Sequence, residues 1–341
     1  MTQKSLLRVL AGEAVWPPPI WMMRQAGRYL PEYRALRAKA GDFLSLCLNP
    51  ELAAEITLQP LRRFGMDGAI LFSDLPIVSW ALGQGLRYAE GEGPVLPPIR
   101  SQADLDKLSV AKVADAVSPI WETVRRVRAE AGPATLIGFS GGPFTVACYM
   151  VEGHGSREFG EARGMAYRDP DLFSRLIDLI IEGNLVYLRG QADAGAEALM
   201  LFDSWAGMLP PSEFDRWVTA PTARIAAALR ETHPHVPLIG FPRLAGMKIG
   251  SYARATGVQG VTMDTSMDPA LAATLVPAHV ALQGNMDPLS VVAGGAAMQG
   301  QLEPLLAAMR GRPFIFNLGH GLVPQTPPEH VGALVQSIRN H

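Results

Sequence analysis

Eight short apolar runs, separated by longer amphipathic stretches, restrict the fold of this 341-residue chain more than any other property. They lie at residues 18–24, 68–74, 135–141, 198–204, 236–241, 260–264, 280–284 and 314–319. Each is nearly continuous in its hydrophobicity and of strand length, the pattern of parallel strands covered on both faces. Helical patterns fill the intervals, at 50–64, 115–131, 170–194, 211–232 and 298–309. Several open on Pro or a capping residue and close near Gly. Eight βα units with no break in composition predict an α/β fold: one (β/α)8 TIM-type barrel domain over residues 1–341, with its cleft at the C-terminal ends of the strands. An open, doubly wound sheet is the alternative. Residues 83–98, rich in Gly and Pro, predict an extended loop or a small hairpin.

Composition narrows the function classes. Only two cysteines occur, Cys47 and Cys148, far apart and without CxxC spacing, which argues against a disulfide framework or a zinc knuckle and for a reducing cytoplasm. The opening MTQKSLLRVLAGEA has no sustained apolar core and does not read as a secretory signal. No run of membrane-spanning length appears. With net charge −2 and 7% aromatic residues, no nucleic-acid partner is expected.

In such a barrel the chemistry sits where strands end. The polar residues closing the runs are Arg24, Asp74, Ser140, Asp203 with Ser204, Asp264, Asn285 and His320. Together they supply cations, carboxylates, hydroxyls and an imidazole to one opening. Asp74 would be costly in apolar surroundings without partners; it reads as a helix cap, as a partner for Arg24, or as an acceptor for convergent donors. Against the mildly acidic whole, Trp21–Ala40 carries Arg24, Arg28, Arg34, Arg37 and Lys39 and a single acid, Glu32. Planar, bidentate donors clustered near a strand end suit recognition of several carboxylates or phosphates, although a solvated basic helix face is an equal reading for Arg34, Arg37 and Lys39.

The string MMRQAGRYLPEYRALR resembles the N-terminal signature of the uroporphyrinogen decarboxylases, and the likeness continues through GAILFSDLP, GEGP, IGFSGGPFTVACYMVEG, LFDSWAG and FNLGHGL. It spans nearly the whole chain, in order. The resemblance implies a homodimeric enzyme without metal or organic cofactor, which removes the four acetate carboxylates of uroporphyrinogen III to give coproporphyrinogen III. It places the catalytic groups at Asp74, Arg28 and Arg24, and substrate binding at Arg24, Gln25, Arg28, Arg37, Asp74, Tyr149, Ser204 and His320. Read alone, Tyr149 is a core or helix-surface residue and Ser204 serves equally as a helix cap. Tyr33, Phe139 and Phe202 are candidates to line the cleft, with ordinary core packing as the alternative. One departure is Leu48, where relatives often carry a basic residue.

Two rivals come from other reaction classes. Residues 138–142, Gly-Phe-Ser-Gly-Gly, satisfy the G-x-S-x-G pattern of a hydrolase nucleophile, and acids and His320 follow in a suitable order; Pro143 crowds the turn. A zinc-dependent methyltransferase on the same barrel would need a His/Cys ligand set, and no His-x-Cys occurs. His233 and His235 precede a strand, on the face away from the chemistry.

Overall fold

The computed structural model describes residues 3–89 and 93–341; Gly91 and Glu92 of the GEGP string lie outside the described residues, as do Met1 and Thr2. Among the described residues seven parallel strands form the main sheet: β1 (Gly68–Ile70), β4 (Thr135–Gly141), β5 (Ala198–Asp203), β6 (Leu238–Pro242), β7 (Gly260–Thr262), β8 (Ala281–Met286) and β9 (Phe314–Leu318), in that order. A separate antiparallel hairpin, β2 (Arg87–Ala89) with β3 (Gly93–Val95), lies in the Gly/Pro-rich stretch between β1 and β4. Every sheet strand is buried almost along its full length, as two-sided cover requires. The strand order is sequential, which excludes the doubly wound alternative with its reversal of order.

The first apolar run departs from expectation. Instead of a strand it makes one parallel bridge, Ile20 to Phe316 of β9. Pro17, Pro18 and Pro19 have no N–H to donate, so a ladder cannot extend through them. After Trp21 the chain turns, closed by a Gln25 N–H to Met22 carbonyl bond of 2.9 Å. The short segment nonetheless touches both edges of the sheet. Phe316 N–H donates to the Pro19 carbonyl at 2.9 Å and Trp21 N–H to the Phe316 carbonyl at 3.2 Å, while Asp67 N–H donates to the Ile20 carbonyl at 2.8 Å. Trp21 is fully buried, and its indole N–H donates to Gln283 Oε1 of β8 at 2.8 Å.

Helices occupy the intervals. Pro50–Phe64 begins with the Asn49 side chain accepting two backbone N–H groups and ends on Gly65 at φ 66°. Pro170–Asp193 is capped by Asp169. The expected helix at 211–232 is interrupted: Pro211–Phe214 passes into a wide turn, Asp215–Thr219, before Ala220–Thr232. Pro221 lacks the N–H that a regular helix needs there, and the wide turn accommodates it.

Candidate active site

Asp74 stands four residues beyond β1, in a turn anchored by Phe72 N–H donating to Thr57 Oγ1 at 3.0 Å. Its carboxylate is half-buried. Oδ1 accepts from Leu75 N–H at 2.9 Å and Oδ2 from the Tyr88 hydroxyl at 2.5 Å. Burial raises its pKa above the usual carboxylate range; the Tyr88 and Leu75 bonds and the Arg24 charge oppose that rise. Tyr88 belongs to the hairpin strand β2, so the hairpin reaches back over the end of β1. A run of rings lines this side: Tyr88 to Phe43 at 4.9 Å and Phe43 to Phe72 at 5.6 Å, both edge-on, and Phe72 to Tyr33, tilted, at 5.8 Å.

Tyr33 lies on the helix Pro31–Lys39, which starts at its proline as the sequence reading expects. The ring is buried, and burial raises its hydroxyl pKa against the opposing charges of Arg37 and Arg28. The charges of those two arginines and of Asp74 are thus all felt at the Tyr33 hydroxyl. Arg28 is exposed. Arg37 Nη1 donates to the Gly41 carbonyl just past the helix end. Arg34 braces the backbone instead, donating to the Arg28 and Tyr29 carbonyls at 2.9 and 3.2 Å. Lys39 is exposed.

Gln25 is turned inward. It is fully buried; its Oε1 accepts from Met22 N–H at 3.0 Å and its Nε2 donates to the Gly68 carbonyl at 2.9 Å. The amide is committed to holding the Arg24 turn against β1, and it is not brought into the cleft with the arginines. Arg24 itself has φ 61°, in the left-handed region a non-glycine residue adopts only under constraint. Its side chain lies across Gly321, where a Cβ would fall 2.6 Å from Arg24 Cγ.

His320 follows β9 by two residues and is half-buried. Its Nδ1 accepts from Gly321 N–H at 2.6 Å, which leaves the proton of the neutral ring on Nε2, free to donate. Burial pushes its pKa down to about 4, and the charges of Arg24 and Arg243 push the same way. The flanking glycines serve close packing rather than looseness: Gly321 under Arg24, and Gly319 against the Thr265 backbone.

Tyr149 projects from the helix Pro143–Glu152, half-buried, with edge contacts to Phe159 at 5.7 Å and Trp205 at 6.4 Å. Burial, with the nearby Asp74 charge, pushes its hydroxyl up to about 12, so it is a neutral donor at ordinary pH. Ser204 directly follows β5 and does not cap the next turn, Ala206–Met208, which has no side-chain cap bond. The end of β5 is bolted to the Tyr149 helix: Trp205 N–H donates to Thr145 Oγ1 at 3.0 Å, and Thr145 Oγ1 donates to Asp203 Oδ1 at 2.6 Å. Phe139 and Phe202 meet edge-on at 5.3 Å, and Phe202 meets Phe241 at 6.1 Å. Phe139 is buried, whereas Phe202 keeps some exposure.

The hydrolase pattern does not survive folding. Ser140 lies within β4, 1% exposed, and its hydroxyl donates to Asn184 Oδ1 at 2.7 Å, with no histidine base bonded to it. Asn285 likewise sits inside β8 rather than at its end, and its amide serves the Asp264 and Met267 carbonyls. His233 bonds Asp193 at 3.1 Å on the loop before β6. Leu48 ends the helix Phe43–Cys47, half-buried against the core. Sequence reasoning missed Tyr88 and Phe43, whose places depend on how the hairpin folds. It also missed Arg243, whose place after β6 depends on Pro242 continuing that strand.

Comparison with known proteins identifies the family. The family model described as "Uroporphyrinogen decarboxylase (URO-D)" matches residues 1–341. A uroporphyrinogen decarboxylase from Granulibacter bethesdensis is 59% identical over 340 residues, covering 98% of this chain and 99% of that protein. One from Gluconacetobacter diazotrophicus is 56% identical, covering 99% of each. Among solved structures, a methyltransferase from Methanosarcina mazei superposes with a TM-score of 0.75 at 20% identity over 99% of both chains. A B12-independent methionine synthase from Shewanella sp. W3-18-1 gives 0.56 at 11% identity, covering 85% of this chain and 88% of that one. These two likenesses speak to fold alone. By its family match along its entire length and its identity to curated relatives, the chain belongs to the uroporphyrinogen decarboxylase family.

Proposed function

We propose that this chain is a carboxy-lyase that removes the acetate carboxylates of uroporphyrinogen III to give coproporphyrinogen III in tetrapyrrole biosynthesis. The observation that carries the reading is Asp74, a carboxyl just past the end of β1 that feels the Arg24 charge, with the charges of Asp74, Arg28 and Arg37 all reaching Tyr33. Its carboxylate would accept from the converging pyrrole N–H groups, taking over from Tyr88. The arginines would hold acidic side chains in bidentate fashion. Tyr149, Ser204 and the Nε2–H of His320 would add neutral donors.

Loss of carbon dioxide leaves an electron pair that needs a sink. Protonation of a ring carbon makes the pyrrole an iminium-like cation; the C–C bond to the carboxylate breaks into that cation and releases carbon dioxide, a second proton turns the resulting exocyclic methylene into a methyl group, and the first proton leaves the ring carbon to restore the pyrrole. The substrate is thus its own sink, and no metal or organic cofactor is required. Asp74 offsets the transient cation, an electrostatic stabilisation of a charge that develops during reaction.

Within the same reading, Pro19–Trp21 stands as the eighth member of a closed barrel, supported by its bonds to both sheet edges, and the chain works as one domain. A cytoplasmic location is supported by two buried free thiols. A homodimer is supported by the family likeness and by exposed Leu244 and Met247 on the loop after β6. The test is anaerobic incubation with uroporphyrinogen III after dialysis against a strong chelator, with the oxidised products separated by chromatography. Coproporphyrin should accumulate at an undiminished rate. Asp74→Asn should still bind coproporphyrinogen within about tenfold of wild type, while its single-turnover rate falls roughly 10²-fold or more. A rate that returns only with added zinc, or an Asp74→Asn variant with an intact rate, rejects the mechanism.

A further inference from the structure

The cleft wall that carries His320 holds more positive charge than the protein itself balances. Pro242 of β6 pairs with Asp203 of β5, so Arg243 and Ser204 leave adjacent strands side by side. Arg243 N–H donates to the Asp203 carbonyl at 3.2 Å. The next residue, Leu244, has φ 60°, and its N–H is held by Asp264 Oδ2 at 2.7 Å. Gly207 lies directly beneath it; a Cβ there would come within 2.5 Å of the Leu244 carbonyl oxygen. A leucine kept in the left-handed region by contacts on several sides marks a loop whose course is over-determined, as at ligand clamps. What that course fixes is the departure of the Arg243 side chain from the open end of the sheet.

Arg243 is half-buried and makes no side-chain hydrogen bond or ion pair among the described residues. Asp264 is the nearest opposite charge, but its oxygens are engaged by Leu244 N–H, Ser266 N–H and the Ser266 hydroxyl. The other charge it senses is Arg24, of like sign. The same two guanidinium groups act on His320, where they add to burial in keeping the ring neutral. A half-buried guanidinium with no anion of its own, beside a second and exposed one, is unfavourable until an anion arrives.

We propose that Arg243 is a substrate-binding residue that, together with Arg24, grips an acidic side chain of the tetrapyrrole beside His320. The inference rests on the function proposed above and adds a residue to it. Arg28 and Arg37 hold the macrocycle on the Asp74 and Tyr33 side, and Arg243 holds it on the opposite rim, between Ser204 and His320. Held at two rims, the ring cannot slide away from Asp74 when one acetate has been lost.

The experiment compares Arg243→Gln and Arg243→Lys with wild type in anaerobic steady-state assays on uroporphyrinogen, with thermal melting of each protein. Arg243→Gln should raise KM about tenfold or more with kcat within a few-fold, the signature of lost substrate binding. Arg243→Lys should recover part of that affinity by keeping the charge without the planar fork. Both should melt close to wild type. A wild-type KM in Arg243→Gln overturns the proposal, and so does an equal loss in both variants accompanied by a large drop in melting temperature, which would make Arg243 structural. A wild type that turns over uroporphyrinogen beside an unaffected Arg243→Gln rejects only this role. An inactive wild type rejects the function on which the role rests, and the role with it.

Discussion

Asp203, one position from the cleft, shows how much a single carboxyl can decide. It is 2% exposed; Oδ1 accepts from Thr145 N–H at 3.0 Å and from the Thr145 hydroxyl, while Oδ2 has no partner among the described residues. Burial pushes its pKa up to about 7, against which the Thr145 bonds act only in part. In the unfolded chain the same group titrates near the ordinary value of about 4. The folded state therefore binds the extra proton between about pH 4 and 7. The stability this contributes is complete below pH 4 and is lost as pH rises through 7. Three units correspond to roughly 4 kcal/mol at most. Asn is nearly isosteric and never ionises, so Asp203→Asn should gain on wild type as pH rises from 5 to 8, read by urea unfolding at both pH values. A difference that does not change with pH would show that Asp203 is already ionised at pH 5. His320 has the opposite sign: its pKa is depressed to about 4, so stability is lost as pH falls from about 6.5 towards 4. That contribution is common to both proteins and cancels. In the sequence, Asp203 reads only as a polar residue closing an apolar run. Its dependence on Thr145, 58 positions earlier, appears only when β5 and the Tyr149 helix meet.

At the scale of elements, most of the fold was legible because parallel strands buried on both faces declare themselves as continuous apolar runs. Seven of the eight runs contain a strand of the sheet. The eighth, at 18–24, has the hydrophobicity but not the donors, since three consecutive prolines precede Ile20. The hairpin β2–β3 illustrates the other limit: Gly and Pro point equally to an extended loop or a small hairpin, and give no direction for it. Folded back, it delivers the Tyr88 hydroxyl to Asp74, and that bond helps to hold the carboxyl in its ionised form. Tyr88→Phe removes the bond while keeping the ring against Phe43. The Asp74 pKa should then rise, and activity that needs the anion should fail at a higher pH than in wild type. The measurement is the acid limb of the kcat/KM profile, which should move to higher pH. An unmoved limb would mean that Tyr88 leaves Asp74 before the group titrates in function.

Across the whole molecule, the net charge of −2 conceals a strong separation of charge. Several carboxylates elsewhere are paired at the surface, as in Arg63 with Glu32 and Arg224 with Asp178, and such pairs contribute little to stability. Around His320 the balance is different: Arg24 and Arg243 both act on it and neither has a salt bridge among the described residues. A site in which cations outnumber anions draws in a polyanion and concentrates it, and dissolved salt weakens that attraction. The substrate carries acetates and propionates, whereas the fully decarboxylated product keeps only the propionates, so the two differ in charge and little in shape. Raising ionic strength from about 20 to 300 mM shortens the Debye length from roughly 20 to 6 Å and should increase KM for uroporphyrinogen severalfold. The inhibition constant of coproporphyrinogen should rise by a smaller factor over the same range. Such a difference would also favour release of the product over the substrate that replaces it. Anaerobic rates at five salt concentrations, with and without added product, measure both slopes in one series. Equal slopes would locate recognition in the shape of the macrocycle and its propionates, with the acetates contributing no net attraction to this basic cleft.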